Sequence, residues 1–379
     1  MPNTIDTAKI GKLGFGYMRL PRIGDKFDIQ QINKMADVFL ESGGTYFDTA
    51  HIYTGSEVVL RESVVERYKR DREKFQIATK LSLFSVNAHE DLEKQFRISF
   101  DRLGADYFDF YLLHGLNAKG SQKAEDVGAW DFFRELKEKG LIKHLGFSFH
   151  GTPEDLEIIL SKHPETEFVQ LQLNYLDWTS PETQSRLLHR IACKHKTPIV
   201  VMEPLRGGLL ASESSPAASF LQEADPKASI ASWALRFTAS LEGVFVTLSG
   251  MSSLKQMTDN IATYADLKPL TDDEITFIDR AVELINAVPR VDCTDCKYCI
   301  DVCPSKIPIP TIIDLFNEYS VYKTIEGLDR IYWLVTRNTA RAEACTACKE
   351  CEDICPQNLD VSDTLVKASA AFDATPYYG

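Results

Sequence analysis

Cysteine is almost absent from the first 290 residues of this 379-residue chain, where Cys193 stands alone, and the other eight cysteines follow Val291. Long apolar runs are also absent, because no stretch approaches the 18 or more apolar residues of a membrane-spanning helix. Only 20 glycines and 16 prolines occur, which excludes collagen-like and low-complexity chains. With 44% hydrophobic residues, the composition predicts a globular protein with a sizeable core.

Positive charge is in deficit, since 42 lysines and arginines face 55 aspartates and glutamates, for a formal net charge of -13. This balance disfavours binding to nucleic acids and to anionic membranes, both of which require basic surfaces. The first residues, MPNTIDTAKIGKLGF, contain no basic segment followed by an apolar run. We therefore expect a cytoplasmic protein whose partners are small molecules or basic protein surfaces.

Short apolar runs alternate with longer stretches of helical period between Leu13 and Tyr264, a pattern typical of repeated βα units on a parallel sheet. Three of the intervening helices have start signals, at Asp28, at Ser56 and at Thr152 followed by proline. The eight candidate strands are Leu13–Met18, Tyr46–Asp48, Gln76–Lys80, Phe108–Leu113, His144–Ser148, Phe168–Leu173, Ile199–Glu203 and Val244–Leu248. Eight units favour a closed (β/α)8 barrel, or TIM barrel, over a doubly wound sheet, which has a glycine-rich GxGxxG loop that this chain lacks.

Four ionisable residues lie at the ends of three successive candidate strands. Asp48 ends the second strand and Tyr53 lies on the loop after it, Lys80 ends the third strand, and His114 directly follows the apolar run of the fourth. Taken alone, each residue has a structural explanation. Asp48 would cap the following turn and Tyr53 would pack in a loop. Lys80 would snorkel to solvent, and His114 would bond to a backbone carbonyl. Because active sites of such barrels lie where strands end and loops begin, four of them together favour a catalytic site.

Their chemistry suits the reduction of a carbonyl group. Tyr53 is the candidate acid, and because an unperturbed tyrosine titrates near 10, it needs a neighbouring cation such as Lys80. Asp48 would hold Lys80 in place, and His114 would donate a hydrogen bond to the same substrate oxygen.

With these four residues in place, the chain resembles the aldo-keto reductases, whose Asp, Tyr, Lys and His tetrad lies on a (β/α)8 barrel. The resemblance spans roughly residues 9–264 and includes GFGYMRL, FDTAHIYTGSE, GFSFHG and GMSSLKQMTDN. It implies an extended nicotinamide dinucleotide bound without a separate nucleotide-binding domain. The implied contacts are Gly16, Met18, Ser148, Gln170, Met202, Pro204, Leu205, Arg206, Gly207, Ser252, Gln256 and Asn260.

Within that set, the resemblance places Ser148 and Gln170 at the carboxamide, Met202 against the nicotinamide ring and Asn260 near the adenine. Met202 replaces an aromatic residue found in many members, and Phe149 replaces a common amide-contacting asparagine. The pattern around Ser252 resembles NADP-binding members, so we expect NADP, with NAD as the alternative.

The C-terminal cysteines form two copies of one motif, CTDCKYCIDVCP and CTACKECEDICP, with the spacing C-x2-C-x2-C-x3-C-P. In this spacing three cysteines bind one 4Fe-4S cluster and the fourth binds the other cluster. Zinc and disulfides are the alternatives, but structural zinc favours separated cysteine pairs and cytosolic chains rarely keep disulfides. The predicted ligand sets are Cys293, Cys296, Cys299 and Cys355 for one cluster, and Cys345, Cys348, Cys351 and Cys303 for the other.

This tail resembles the two-cluster bacterial ferredoxins, except that 41 residues separate Cys303 from Cys345, and the stretch 311–335 among them has helical apolar spacing. We predict an α/β protein, with a TIM barrel over residues 1–288 and a small, largely helical, ferredoxin-like domain with two clusters over residues 289–379. Residues from Val291 onward include 14 acids and 8 bases, a balance that would steer a basic external electron carrier.

The predicted function is an NAD(P)H-dependent oxidoreductase that interconverts an aldehyde or ketone and an alcohol, with clusters for electron transfer or regulation. Two alternatives stay open. The barrel would hold a dinucleotide as a redox sensor or docking module, or Tyr53 and Lys80 would act as the base of a non-redox lyase.

Overall fold

The computed structural model describes residues 5–24 and 26–374. They form two compact units. The first runs to Arg206 and resumes over Ala231–Asp272, and the second comprises Gly207–Ile230 and the chain from Asp273 onward. Segment 207–230 and most of the helix at 272–286 thus group with the cysteine-rich tail, whereas the boundary proposed from the sequence lies between residues 288 and 289. Within the described residues no helix is long and apolar enough to span a membrane.

The first unit contains a closed barrel of eight parallel strands, as the sequence predicts. The strands are β1 Leu13–Gly16, β2 Arg22–Ile23, β3 Lys26–Phe27, β4 Tyr46–Asp48, β5 Gln76–Ser82, β6 Phe108–Leu116, β7 Ile142–Phe149, β8 Phe168–Gln172, β9 Ile199–Met202 and β10 Val244–Ser249. Around the barrel the order is β1, β10, β9, β8, β7, β6, β5 and β4. A two-stranded antiparallel hairpin of β2 and β3 follows the first barrel strand.

Helices follow most barrel strands, and further helices make up most of the second unit. In chain order they are α1 Ile29–Glu41, α2 Ser56–Leu60, α3 His89–Leu103, α4 Ala118–Asp126, α5 Ala129–Glu138, α6 Pro153–Lys162, α7 Ser185–Lys194, α8 Ala218–Ala224, α9 Ile230–Ala239, α10 Leu254–Ala265, α11 Asp272–Asn286, α12 Tyr298–Val302, α13 Ile309–Tyr322, α14 Leu328–Thr336, α15 Glu350–Asp353 and α16 Val361–Phe372.

Helices begin at or directly after all three predicted start signals. Asp28 caps α1 by accepting a hydrogen bond from the backbone N–H of Gln31 at 3.0 Å, and Thr152 caps α6, with Pro153 as its first residue. The third helix, α2, begins at Ser56 itself, and Gly55 occupies its cap position in a left-handed conformation. The Ser56 hydroxyl instead donates to the carbonyl of Tyr17 at 2.9 Å.

Residues alternate between two cores along most barrel strands. Tyr46, Phe110 and Phe168 belong to the core inside the barrel, whereas their neighbours Phe47 and Tyr111 belong to the core between strands and helices. The interior is crowded. At Gly146, a Cβ would lie 2.4 Å from the carbonyl oxygen of Phe168 and 2.7 Å from its ring, so only glycine fits there.

The second unit contains the predicted helical insertion, which forms α13 and α14. Its core is partly aromatic, since the ring of Phe372 stacks on Tyr332 at 5.0 Å and lies 5.8 Å from Tyr319. Tyr332 also donates its hydroxyl to Asp373 at 2.5 Å. The insertion is therefore packed against the last helix, α16, of the same unit.

The two cysteine motifs repeat in backbone conformation as well as in sequence. Left-handed φ angles occur in and just after the first motif at Asp295, Lys297 and Lys306, and in and just after the second at the equivalent residues Ala347, Lys349 and Asn358. Each motif is then followed by a helix, α13 or α16. The tail is a structural duplication.

Candidate active site and cluster sites

Polar side chains replace apolar ones at the carboxyl ends of the barrel strands. Asp48, Lys80 and His114 lie two residues after the interior residues Tyr46, Ala78 and Leu112. Because successive side chains of a strand point to opposite faces, residues two apart share the interior face. The three polar residues therefore point into the same end of the barrel, as the strand-end pattern predicts.

Asp48 and Lys80 form a buried ion pair on adjacent strands. The ammonium of Lys80 donates to Oδ1 of Asp48 at 2.5 Å and to the carbonyl of Thr49 at 2.8 Å. Lys80 is fully buried and Asp48 is 4% exposed. Burial lowers the pKa of Lys80, and the charge of Asp48 opposes that shift. The pair thus holds the Lys80 ammonium beneath the barrel mouth, where water does not screen its charge.

Tyr53 and His114 lie next to this pair. Nζ of Lys80 is 5.4 Å from the ring centroid of Tyr53, and the rings of Tyr53 and His114 meet edge to face at 5.7 Å. The four side chains predicted from the sequence are therefore brought together at one end of the barrel.

The imidazole of His114 is neutral over the physiological range. Burial, followed by the charges of Lys80 and His150, lowers its pKa to about 3. Its Nδ1 and the Oδ2 of Asp48 are buried without a hydrogen-bond partner in the described part of the chain. Unpaired polar atoms of this kind are costly in a folded core and are typical of ligand sites.

The loop that carries Tyr53 is held by buried hydroxyl groups. Thr49 and Ser56 share a hydrogen bond at 2.7 Å between their side-chain oxygens. The backbone N–H of Tyr53 donates to the carbonyl of Ala50 at 3.0 Å, and that of Ser56 donates to the carbonyl of Tyr53 at 3.0 Å. These contacts fix the backbone on both sides of Tyr53.

Glu57 is a buried carboxylate that sequence reasoning missed. Its Oε1 accepts a hydrogen bond from the hydroxyl of Thr79 at 2.8 Å, and its Oε2 accepts one from Arg102 at 3.2 Å. Arg102 also donates to the carbonyl of His51 at 3.1 Å. Glu57 therefore connects the strand of Lys80 to the loop of Tyr53. An acid directly after a helix start is too common in sequences to indicate this role.

The residues implied at the carboxamide lie on neighbouring strands. Ser148 and Gln170 are directly paired between β7 and β8, and the Gln170 amide lies 3.5 Å from the sulfur of Met202. Oε1 of Gln170 is buried without a partner among the described residues, so it is available to an amide donor. Phe149 is buried in the outer core, and its ring therefore does not reach the barrel interior.

A second histidine, His150, also escaped the sequence analysis. It follows Phe149 and so returns to the interior face at the mouth. A Cβ placed on Gly115 would lie 3.9 Å from Cδ2 of His150, which puts His150 beside the end of the strand that carries His114. The sequence contained a signal for His150, because the alternation of inward and outward side chains continues past Ser148, the last predicted residue of the strand that precedes it.

The residues implied at the adenosine form a separate group after β10. The amide of Asn260 donates to the hydroxyl of Ser249 at 2.9 Å. The backbone N–H of Ser252 donates to Oε1 of Gln256 at 2.7 Å, and its hydroxyl donates to the carbonyl of Arg19 at 2.7 Å. This group therefore adjoins the turn after β1 rather than the tetrad.

The remaining implied contacts lie on two loops. Gly16 ends β1 and pairs with Asp48, and Met18 lies on the following turn and is 37% exposed. Pro204 and Leu205 follow β9. After them, Nε of Arg206 lies 3.3 Å from Oδ1 of Asp177. Gly207 groups with the second unit, where its backbone is left-handed.

The eight clustered cysteines line two hollows in the second unit. The hollows enclose about 360 and 320 Å3, including space open to solvent. The first is lined by Cys293, Cys296, Cys299 and Cys355, and the second by Cys303, Cys345, Cys348 and Cys351. Each hollow therefore takes three cysteines from one motif and the fourth from the other, which is the crossed arrangement predicted from the spacing.

Apolar side chains complete the walls of both hollows. Ile307 and Leu365 line the second hollow, and Leu359 and Ile313 line the first. Four thiols in an apolar enclosure fit the donor set of a 4Fe-4S cluster. Within the described residues, no three histidine, cysteine, aspartate or glutamate side chains are arranged to hold a single metal ion.

Two family models match the chain. The model described as "Aldo/keto reductase family" matches residues 12–283 and so covers the barrel strands, and the model described as "4Fe-4S dicluster domain" matches residues 292–359, which contain all eight clustered cysteines.

An aldo-keto reductase of Strobilurus tenacellus is 28% identical over 227 residues, which are 55% of this chain and 64% of that protein. The chain thus spans slightly less than two thirds of this relative's length.

Solved structures show the same fold. An aldo-keto reductase from Bacillus halodurans (holo form) is 24% identical, with a TM-score of 0.56 over 71% of this chain and 91% of that one. An aldo/keto reductase from Klebsiella pneumoniae, in complex with NADP and acetate, is 20% identical, with a TM-score of 0.57 over 72% and 91%. Since the first family model covers more than half of its length, the chain belongs to the aldo/keto reductase family and carries a 4Fe-4S dicluster domain after the barrel.

Proposed function

We propose that this protein is an NAD(P)H-dependent oxidoreductase that interconverts an aldehyde or ketone and an alcohol. The observation that carries the proposal is the convergence of Tyr53, Lys80 and His114 at the carboxyl end of the barrel, with Nζ of Lys80 5.4 Å from the Tyr53 ring and that ring 5.7 Å from His114.

Tyr53 donates the proton in the direction of reduction. The bound reduced nicotinamide supplies the hydride that reaches the carbonyl carbon. The Tyr53 phenol transfers its proton to the carbonyl oxygen, which leaves a phenolate on Tyr53 and an alcohol as product. In the direction of oxidation the phenolate accepts that proton.

Lys80 and Asp48 make this transfer easier. A cation near a phenol stabilises the phenolate and so lowers the free energy of the charged state left behind. The hydrogen bond of 2.5 Å to Asp48 keeps the Lys80 ammonium in one place despite complete burial. Asp48 therefore acts through Lys80 as a positioning residue.

His114 orients the substrate. Because its pKa is lowered to about 3, the imidazole is uncharged and has one N–H to donate to the substrate oxygen. That hydrogen bond aligns the carbonyl group and shares the negative charge that develops during hydride transfer.

The residues present fit the nicotinamide dinucleotide, which we propose to be NADP, with NAD as the alternative. Gln170 and Ser148 would hold the carboxamide, and the unpaired Oε1 of Gln170 suits its amide group. Met202 would contact the ring, and Asn260 would approach the adenine. Gly16 and Met18, the loop Pro204, Leu205, Arg206 and Gly207, and the pair Ser252 and Gln256 would complete the contacts.

Two 4Fe-4S clusters occupy the second unit in this proposal, each held by the cysteines that line one hollow. Each cluster, when bound, carries one electron at a time, and the clusters serve electron transfer or regulation.

A carbonyl or alcohol is the substrate, an external electron carrier is the candidate partner, and the cytoplasm is the proposed location. The proposed domain boundary stays between residues 288 and 289.

The test is anaerobic purification, iron and sulfide analysis, and oxidation of NADPH or NADH against a panel of aldehydes and ketones. We expect dinucleotide oxidation in proportion to alcohol formed. Substrate conversion without net oxidation of dinucleotide would favour the lyase. Tight dinucleotide binding with no turnover on any carbonyl would favour the sensor. If the Cys296→Ala variant loses one cluster and still turns over the carbonyl, the clusters have a role outside the reaction.

A further inference from the structure

One residue belongs to the walls of both cysteine-lined hollows. Ile309 lines the first hollow with Ile313 and Val361, and it lines the second with Ile307 and Leu365. It is 1% exposed. Among the lining residues described above for the two hollows, it is the side chain that they share.

The duplicated motif explains how Ile309 reaches this position. It lies six residues after Cys303 and is the first residue of α13, and Val361 lies six residues after Cys355 and is the first residue of α16. In both copies the backbone N–H of this residue donates to the carbonyl two residues earlier, at 2.8 Å for Ile309 and 2.9 Å for Val361. The same local turn therefore starts both helices.

The two copies differ in what their helix start contacts. Val361 lines the first hollow, and its neighbour Ser362 lines the second. Ser362 is polar and donates its backbone N–H to Glu352 at 2.9 Å. At the start of α13, by contrast, the branched apolar side chain of Ile309 lines both hollows and contains no polar atom.

We propose that Ile309 separates the two clusters and sets the solvent exposure of both at once. The inference rests on the proposed assignment of a cluster to each hollow. Solvent access and local polarity are among the factors that set the reduction potential of such clusters. Water or a dipole favours the reduced cluster, which carries more negative charge. A smaller or more polar residue at position 309 therefore raises both potentials together.

The test is a redox titration of the full chain, purified anaerobically and followed by electron paramagnetic resonance. Ile309→Ala shortens the shared side chain, and Ile309→Thr keeps the branched shape while adding a hydroxyl. We expect the midpoint potentials of both clusters to shift upward in each variant, with about eight irons per chain retained.

Two matched controls use residues of one wall only. Ile313→Ala should shift one potential, and Leu365→Ala should shift the other, because Ile313 lines the first hollow and Leu365 the second. If a variant at position 309 loses iron instead, loss of both clusters supports the inference and loss of one overturns it.

A shift of one potential or of neither in the 309 variants, while the controls behave as expected, would also overturn it. Wild-type protein that binds far fewer than about eight irons would overturn the cluster assignment itself. The two failures are thus distinguishable by the iron content of the wild-type chain.

Discussion

The ammonium of Lys80 lies 2.5 Å from Oδ1 of Asp48, and both side chains are buried on neighbouring strands of the barrel. The two residues are 32 positions apart in the chain. Two charges removed from water are stable only as a pair, because an unpaired buried charge has lost its hydration without compensation. This relationship makes the centre of the candidate site sensitive to the loss of either partner.

Lys80→Met should destabilise the protein by about 3–5 kcal/mol, because it leaves the Asp48 carboxylate buried and alone. Urea denaturation at neutral pH measures the change. The control is Lys94→Met, since Lys94 is 70% exposed in its pair with Asp91, and it should cost less than about 1 kcal/mol. Equal losses in both variants would contradict the buried-pair account.

Tyr53→Phe should lower kcat for carbonyl reduction by a factor of about 10² to 10⁴, since it removes the proton donor and keeps the ring. The dissociation constant of the dinucleotide, measured by fluorescence titration, should change little. Tyr68→Phe is the control, because the Tyr68 hydroxyl bonds to Asp37 rather than to the tetrad. A Tyr53→Phe variant with wild-type kcat would rule out Tyr53 as the acid.

His114 should make stability depend on pH between about 3 and 6.5. Its pKa is about 3 in the folded protein and near 6.5 in the unfolded chain, so in this window the unfolded chain binds the extra proton. The free energy of unfolding therefore rises with pH, by at most about 1.4 kcal/mol per unit from this residue.

His114→Gln should flatten that dependence when urea unfolding of both proteins is compared from pH 4.5 to 7. Above pH 7 the histidine is neutral in both states, so its contribution to the slope should vanish there. Identical slopes for the two proteins below pH 6 would show that His114 is not buried as a neutral group.

Glu57→Leu should destabilise the protein by about 1–3 kcal/mol, because the hydroxyl of Thr79 and the guanidinium of Arg102 lose their acceptor. Thermal unfolding measures the change. Glu66→Leu is the matched control, since Glu66 pairs with Arg61 on the surface and should contribute little. We also expect kcat to fall in Glu57→Leu and not in Glu66→Leu, because Glu57 connects the strand of Lys80 to the loop of Tyr53.

The crossed arrangement of the cysteines can be tested by iron content in double variants. Cys296→Ser with Cys355→Ser removes two ligands from one cluster and should leave about four irons per chain, whereas Cys296→Ser with Cys303→Ser damages both clusters and should leave almost none. The reverse order of iron contents would show that each motif binds its own cluster.

Much of this molecule could be predicted from local patterns. Eight apolar runs indicate eight strands, and all eight are present. The cysteine spacing predicts how the hollows share their ligands, because that spacing follows from the geometry of the cluster. The positions of the four polar residues were also predictable, since Asp48, Lys80 and His114 lie toward the carboxyl ends of buried strands, Tyr53 lies on the loop after the first of them, and together they resemble a family pattern.

Contacts between distant residues were not predictable. Glu57 and Arg102 are 45 positions apart, and nothing local marks either residue as a partner of the other. The hydroxyl of Ser56 likewise bonds to Tyr17, 39 positions away, a contact that a helix start signal does not indicate. Ile309 was also missed, since its position between two hollows depends on how two copies of a motif pack.

The amino-acid sequence by itself determined the barrel, the polar residues at and just after its strand ends, and the paired cysteine motifs, because each depends on periodicity or spacing along the chain. Only the tertiary structure decided which buried charge meets which partner and which side chain lies between the two hollows. These contacts form when closure of the barrel and packing of the duplicated helices bring residues together that the chain keeps far apart.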